Sequence, residues 1–416
     1  MKIYLRVMQY QLFYIKYAVA LLFCLAVDNI IREFRSVNAE VFYETIIIER
    51  EECIDKVTGG EQEFIAGQDF CGEQECVKER IAAAEGDLEE RVVGVKTSDS
   101  IVKARYGVLS YDVLFWNLEN FFDLLPDTLE GGRDFTPRGR MRWTRERFDK
   151  KSRMVAKVIS DATGGSLPMI IGVAEVENRY VLNSLVYDTP LLYGTYGVVH
   201  RDSPDRRGID VALLFREELF RPLKVEVFEV RMPDLGEEYV SRDILYVKGV
   251  VQELDTLHLF VNHWPSRYGG ERASRYRREH AACVLGERCD SLLKKNYRAN
   301  IIVMGDFNDP ADKLSNETLV ELYAPAPIFG DEVSGSIKYK GRWELFDYFL
   351  LSDNLRDTLE PISVKEECFR VFSAPYLLER DNKYTGKRPK RTYLGPRYNR
   401  GVSDHLPVVL KINRNW

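Results

Sequence analysis

The chain has 416 residues, 45% hydrophobic and 30% charged, with a formal net charge of -6. That composition excludes a disordered or fibrous protein and supplies apolar material for a large core, with length enough for two or three domains. The acidity is local: residues 40–100 carry 17 Asp/Glu against 6 Lys/Arg, residues 1–39 carry 2 against 5, and the remaining body is nearly neutral, which is compatible with a polyanionic partner without demanding one.

Taken in chain order, the first feature is the apolar run 17–27, YAVALLFCLAV, preceded by Lys2, Arg6 and Lys16. It is too short for an ordinary membrane span and has the length of an export signal. A small-residue cleavage site appears only at Val37, Asn38 and Ala39, and Leu21-Leu22-Phe23-Cys24 resembles a lipoprotein box with a bulky residue before the cysteine. A misassigned start is the third reading. Residues 1–39 are therefore expected to be a signal or anchor-like segment. The protein is expected to be exported, whether periplasmic, secreted or attached peripherally to a membrane, and monomeric. Residues 40–105 form an acidic extension with a helix expected near 76–91 and no recognisable chemistry.

From Tyr111 the pattern changes to short apolar runs at 111–118, 168–176, 193–200, 209–215, 244–252, 257–264, 300–307, 345–352 and 406–412. Their lengths predict strands, several buried on both faces. Helical spacing predicts helices over 145–161, with Phe148, Val155, Val158 and Ile159 on one side, and over 274–295, with Ala281, Val284, Leu285 and Leu292. Many strands with a few long helices predict an α/β domain over 106–416, with two packed sheets flanked by helices. Basic runs at 138–153, 267–278 and 383–400 can neutralise phosphates or simply form solvated faces. Seven cysteines make no disulfide framework in so long a chain. A Cys71–Cys76 bridge is open to an exported protein, and Cys283, Cys289 and Cys368 are expected to be buried thiols.

Polar residues stand at the ends of the apolar runs. Asn117 and Glu119 close FWNLE, Glu175 lies in GVAEVEN, His263 in VNHWPSR, Asp306 and Asn308 in VMGDFND and Asp347 in LFDYFLL, while Asp404 and His405 open SDHLPVVL. A single such residue marks a turn; six sets together point to strand ends converging on one polar pocket. Mg²⁺ prefers carboxylate oxygens and keeps several waters, so Glu119 and Glu175, with Asp404 as a third, make an open metal site. Attack by water needs a base and an orienting group, and Asp306 and Asn308, two apart on an extended chain, project to one side. Charge developing on phosphorus oxygens needs donors, for which His263, His405 and Asn117 are suited. A carboxylate fixes an imidazole's orientation: Asp347 is expected to do so for His405, and Asp210 for His263. His200, His258, His280, Glu177 and Asp309 are assigned structural roles.

FWNLEN, AEVEN, RGIDVALLF, VNHWPSR, GDFND, FDYFLL and GVSDHLP follow one another in an order and spacing that resembles the superfamily of deoxyribonuclease I, exonuclease III-like repair enzymes, neutral sphingomyelinases and inositol polyphosphate phosphatases. The likeness covers residues 110–413 and is nearest to uncharacterised Bacteroides-type members. It implies a four-layered α/β/β/α sandwich of two mostly antiparallel sheets. It implies Mg²⁺, Mn²⁺ or Ca²⁺ as cofactor, with Asn117 as a phosphate-contacting amide and Glu119, Glu175 and Asp404 on the metal. Asp306 resembles the water-activating aspartate, Asn308 its neighbour, and Asp347 with His405 the buried carboxylate and imidazole pair. Ala174 departs from the glutamine common in relatives.

His263 argues for the deoxyribonuclease and sphingomyelinase side of the superfamily, and the stretches GDFNDPAD and WELFDYFLL lack the features of inositol phosphatases. The basic runs favour an extended polyphosphodiester. The expected activity is hydrolysis of DNA or RNA; the alternatives are a phosphatase or sphingomyelinase-like phosphodiesterase, and an inactive module that binds nucleic acid or a partner.

Overall fold

A computed structural model of the protein describes residues 110–126, 130–232 and 239–415. The signal-like segment 1–39, the acidic stretch with its helix near 76–91, and the Cys71–Cys76 pairing lie outside them. Among the described residues no helix is long and apolar enough to cross a membrane.

Residues from Ser110 onward fold as one compact unit. The principal strands are β1 Ser110–Phe121, β2 Ile170–Val176, β3 Tyr196–His200, β4 Asp210–Arg216, β5 Phe220–Phe228, β6 Ile244–Val251, β7 Asp255–His263, β8 Asn300–Asp306, β9 Asp347–Leu351, β10 Phe369–Val371 and β11 Val408–Arg414. The helices are α1 Arg145–Ala162, α2 Arg179–Tyr187 and α3 Glu271–Lys295, with short turns at Glu130–Asp134 and Glu317–Glu321. One sheet runs β10-β11-β1-β2-β4-β3, with Pro327–Ile328 beside β10 and Ile362–Ser363 beside β11; the second runs β9-β8-β7-β6-β5. Among the described residues, only β1 with β2, Pro327–Ile328 with β10, and β7 with β8 pair in parallel.

The two sheets pack face to face through β1, β2 and β4 against β7, β8 and β9. This explains why β2 and β8 are buried at every position: each has a neighbour on both faces and both edges. At Gly172 a Cβ would meet the sulfur of Met304 on the opposite sheet at 2.6 Å, so glycine there sets how closely β2 approaches β8. Helix α1 covers the first sheet with Phe148, Val155, Val158 and Ile159, the Phe148 ring lying 5.4 Å from Phe121, and Gly164 and Gly165 at positive φ end it. Helix α3 covers the second, where Arg288 lies over the Phe228 ring. The expected α/β/β/α layering is what the fold shows.

Three local expectations change. Residues 190–194 form a 3-10 turn started by Thr189, whose side chain accepts from Leu191 N, so β3 begins only at Tyr196. Strand β5, FRPLKVEVF, is an unpredicted edge strand; its charges and Pro222 hide it from an apolar scan, and those residues suit an edge that must not recruit another strand. Cys283 is exposed on the outward side of α3, whereas Cys289 and Cys368 are buried.

Candidate active site

Strand register assembles half the site. On β8, Asp306 pairs on one side with His263 of β7 and on the other with Asp347 of β9, so three groups separated by as many as 84 positions stand in one row across the end of the second sheet. The first sheet faces them with Asn117 and Glu119 from β1, Glu175 from β2, and Asp404 and His405 from the loop that enters β11. Glu119 and Glu175 leave regular pairing. The register of β1 on β2 shifts between Asn117 and Phe121, and that of β2 on β4 between Ala174 and Val176. Glu119, Glu175 and Asn308 have φ of 49°, 61° and 54°. Such backbone costs a non-glycine residue about 1–3 kcal/mol and gathers at functional sites, where irregular pairing re-aims a side chain.

Asp306 is the centre. Its Oδ2 accepts from Asn117 Nδ2 at 3.0 Å and faces Nε2 of both His263, at 3.6 Å, and His405, at 3.7 Å; its Oδ1 accepts from Asn308 N at 3.0 Å. Burial, with Asp347 nearby, raises its carboxyl to about 7, against the pull of His405 and the Asn117 hydrogen bond. The side chain of Asn308 is held separately, donating to Trp264 O at 3.0 Å. Asn117 Oδ1 in turn accepts from Glu119 N at 2.9 Å, and Ser403 Oγ donates to Asn117 O at 2.6 Å.

The two imidazoles are tuned in opposite directions. His405 is fixed through Nδ1 by Asp347 Oδ2 at 2.7 Å. Burial opposes charge on its ring, but Asp347, Asp306 and Asp404 overcome that and hold it well above its ordinary value. His263 is held well below by burial, with Arg242, Arg207 and His405 adding to it. It is therefore neutral. Its Nε2 faces carboxylates, Asp306 and, at 3.8 Å, Glu175 Oε1, while Nδ1 has no partner among the described residues, which assigns the proton to Nε2.

Asp210 does not orient His263. Its Oδ2 lies 3.0 Å from His200 Nε2 and its Oδ1 accepts from Ser203 N and Oγ, because β3 and β4 are adjacent and the loop between them folds back on the carboxylate. His263 is held instead by its main chain: Arg242 donates to the carbonyls of His263 and Trp264 and pairs with Asp205 at 3.1 Å. Glu177 and Asp309 do serve structure, Glu177 accepting from Asp123 N, and Asp309 binding the buried Arg267 and Arg278. His258 bonds Tyr246 Oη at 2.8 Å within the second sheet, and His280 lies on α3.

The predicted metal ligands meet around an arginine. Glu119 accepts from Arg391 Nε at 2.8 Å and from Thr392 N at 2.7 Å, and Arg391 Nη2 lies 2.9 Å from Asp404 Oδ2. Glu175 accepts from Asn120 N at 2.8 Å, leaving Oε1 with only long contacts, to His263 and, at 3.7 Å, to Arg207. Three carboxylates are the hard oxygen donors a divalent cation prefers, but their ligand atoms do not all come within 4.8 Å of one another while Arg391 lies between Glu119 and Asp404. Burial and Asp404 raise Glu119 to about 7; burial also works to raise Asp404, but Arg391 and His405 bring it below the usual carboxylate range. Asp306, Asp347 and His405 do place ligand-type atoms within 4.8 Å of one another, as do His200, Asp202 and Asp210. The first group is already joined by the His405–Asp347 bond and the second by the His200–Asp210 bond, so neither presents a free set of donors.

Sequence reasoning missed how the basic runs turn inward. Lys151, from the first run, is buried on α1 and donates to Glu119 O at 2.6 Å and Thr392 Oγ1 at 2.9 Å; burial lowers its ammonium to about 8. Arg267 and Arg278, from the second, bind Asp309, and Arg391, from the third, bridges Glu119 and Asp404. The signal available was position alone, since each run adjoins a site motif, while the direction of each side chain depends on tertiary packing.

A buried carboxylate thus stands between two oppositely tuned imidazoles, beside a carboxylate cluster of which Asp404 is the most exposed member. Residues 112–414 match the endonuclease/exonuclease/phosphatase family, and the chain belongs to it; members of that family are metal-dependent phosphoesterases. No curated protein matches the sequence. Similar solved structures include truncated TDP2 from Caenorhabditis elegans, 14% identical, covering 73% of this chain and 98% of that one with a TM-score of 0.46. A family protein from Bacteroides thetaiotaomicron is 16% identical, with coverage of 74% and 98% and a TM-score of 0.45. Humanized TDP2 from D. rerio is 13% identical, with coverage of 73% and 99% and a TM-score of 0.45.

Proposed function

We propose that the protein is an exported, divalent-metal-dependent phosphodiesterase that hydrolyses nucleic acid, with Asp306 as the base. The observation that carries this reading is the setting of Asp306: buried, held by Asn117 and the Asn308 amide, and faced by two imidazole Nε2 atoms. Water attacks phosphorus in line, a new P–O bond forms as the bond to the leaving oxygen breaks, and the water's proton passes to Asp306. His405, protonated and anchored by Asp347, and His263, a neutral Nε2–H donor, stabilise charge on the phosphoryl oxygens. Glu119, Glu175 and Asp404 would hold the cation, which when bound supplies Lewis-acid neutralisation of those oxygens. The basic side chains that stay exposed, Arg138, Arg140, Arg272 and Arg275 among them, support a long polyanionic substrate, and the apolar run at 17–27 supports export.

The test is turnover of bis-p-nitrophenyl phosphate and plasmid DNA, RNA, sphingomyelin and phosphate monoesters, with Mg²⁺ or Mn²⁺ and with chelator. Metal-dependent cleavage of the nucleic acids and the diester, lost in Asp306→Asn, is expected. Turnover confined to monoesters or sphingomyelin would replace the substrate assignment, and no turnover of any ester would favour a binding module.

A further inference from the structure

Arg391 touches two of the proposed ligands at once, and the chemistry above leaves it without a task. It lies between the short strands Lys387–Pro389 and Tyr393–Leu394. One edge of its guanidinium reaches Glu119 Oε1 at 2.8 Å and another reaches Asp404 Oδ2 at 2.9 Å, so a single planar fork joins carboxylates that come from β1 and from the loop before β11. Its side chain is 41% exposed, unlike that of the locked and buried Lys151. It also borders two clefts, one walled by Phe135 and Tyr393 and the other by Tyr339, Tyr384 and Arg388.

We propose that Arg391 is an exchangeable counter-ion of the carboxylate site: a divalent cation ligated by Glu119 and Asp404 displaces it, and the freed guanidinium takes a phosphate oxygen of the substrate in the adjoining cleft. This rests on the metal-dependent reading of the site. With Glu119 Oε1 and Asp404 Oδ2 both in the fork and Glu119 Oε2 on Thr392 N, a cation entering between the two acids competes with the guanidinium for the same negative charge. With neither, two acids brought together by the fold would repel, which gives the arginine a structural reason to be there. Released, it is a bidentate donor matched to phosphate and sufficiently exposed to turn toward it. Exchange of this kind is reciprocal, so the cation strengthens phosphate binding and phosphate strengthens cation binding.

The experiment is Mn²⁺ binding by calorimetry to the full chain, wild type and the variants Arg391→Gln and Arg391→Lys, followed by binding of inorganic phosphate with and without Mg²⁺. Arg391→Gln is expected to bind Mn²⁺ tighter by roughly tenfold, the loss of one charge-assisted competitor, and Arg391→Lys by a smaller factor. Mg²⁺ should tighten phosphate binding by a larger factor in the wild type than in Arg391→Gln, where only the cation's own attraction for phosphate remains. Mn²⁺ affinity that is unchanged or weaker in Arg391→Gln, or phosphate coupling undiminished by the substitution, overturns the exchange. If Arg391→Gln does not fold, the lysine variant decides: affinity above wild type supports the exchange and equal affinity overturns it. Wild type that binds no Mn²⁺ sinks the metal-dependent reading as well, whereas Mn²⁺ binding indifferent to residue 391 sinks this inference alone.

Discussion

Asp347 grips His405 through Nδ1 at 2.7 Å, which leaves Nε2 of the same ring directed at Asp306, 3.7 Å away. The pairing Asp306↔Asp347 across β8 and β9 makes this possible, because adjacent strands carry the proposed base and the group that orients its neighbour.

That geometry predicts that Asp347 and His405 act as a unit. Asp347→Asn and His405→Asn should each lower kcat/KM by about 10²–10⁴-fold, the range expected for losing a positioned acid–base group. The double variant should be little worse than either single one. Steady-state kinetics on bis-p-nitrophenyl phosphate measures this; losses that multiply in the double variant would show that the two residues act separately.

Glu175 is the predicted ligand least occupied by other contacts, with Oε1 more than 3.5 Å from any cationic partner. Glu175→Gln should raise the Mg²⁺ concentration for half-maximal rate by about tenfold or more, the penalty of replacing a charged oxygen donor by a neutral one. A metal titration of activity gives the result, and an unshifted midpoint would remove Glu175 from the ligand set.

Asp309 lies between the buried guanidinium groups of Arg267 and Arg278. Asp309→Ala removes the carboxylate that both buried cations share, leaving Arg267 a 3.4 Å contact with Glu271 and Arg278 only neutral acceptors, and should cost about 3–5 kcal/mol of stability. Urea denaturation reads it directly. A loss below about 1 kcal/mol, the level of a surface pair, would mean that the cluster is solvated.

His258 supplies a pH dependence remote from the catalytic groups. Burial, aided by Lys248, lowers its imidazole from 6.5 to about 4, and the ring bonds Tyr246 Oη while neutral. Its folded value is depressed, so the unfolded chain binds the extra proton first. The stability associated with neutral His258 is complete above pH 6.5 and is lost as pH falls toward 4. His258→Phe should flatten the stability curve in that window, and an unaltered slope would exclude His258 as the titrating group.

Much of the catalytic layout was legible because a buried strand must end somewhere, and polar residues placed at those ends are conspicuous against Val, Ile and Phe. Asp306, His263 and Asp347 were found in this way, and register then put them in a row. Arg391 was legible only as one cation in a run, since nothing local distinguishes it from Arg388 or Lys390; its direction is set by short hairpins of two or three residues, too brief to show periodicity. Asp210 was read to the wrong partner for a related reason. From sequence it enters a strand ten residues after His200 and far from His263, and only the β3–β4 pairing shows that His200 is the one beside it.

The unusual main chain at Glu119, Glu175 and Asn308 has a consequence for anyone who would engineer this protein. Glycine at any of the three relaxes the local conformation while deleting a working side chain. Directed evolution for heat tolerance alone would enrich sturdier molecules that lose the proposed activity, so any such campaign has to select for both properties at once.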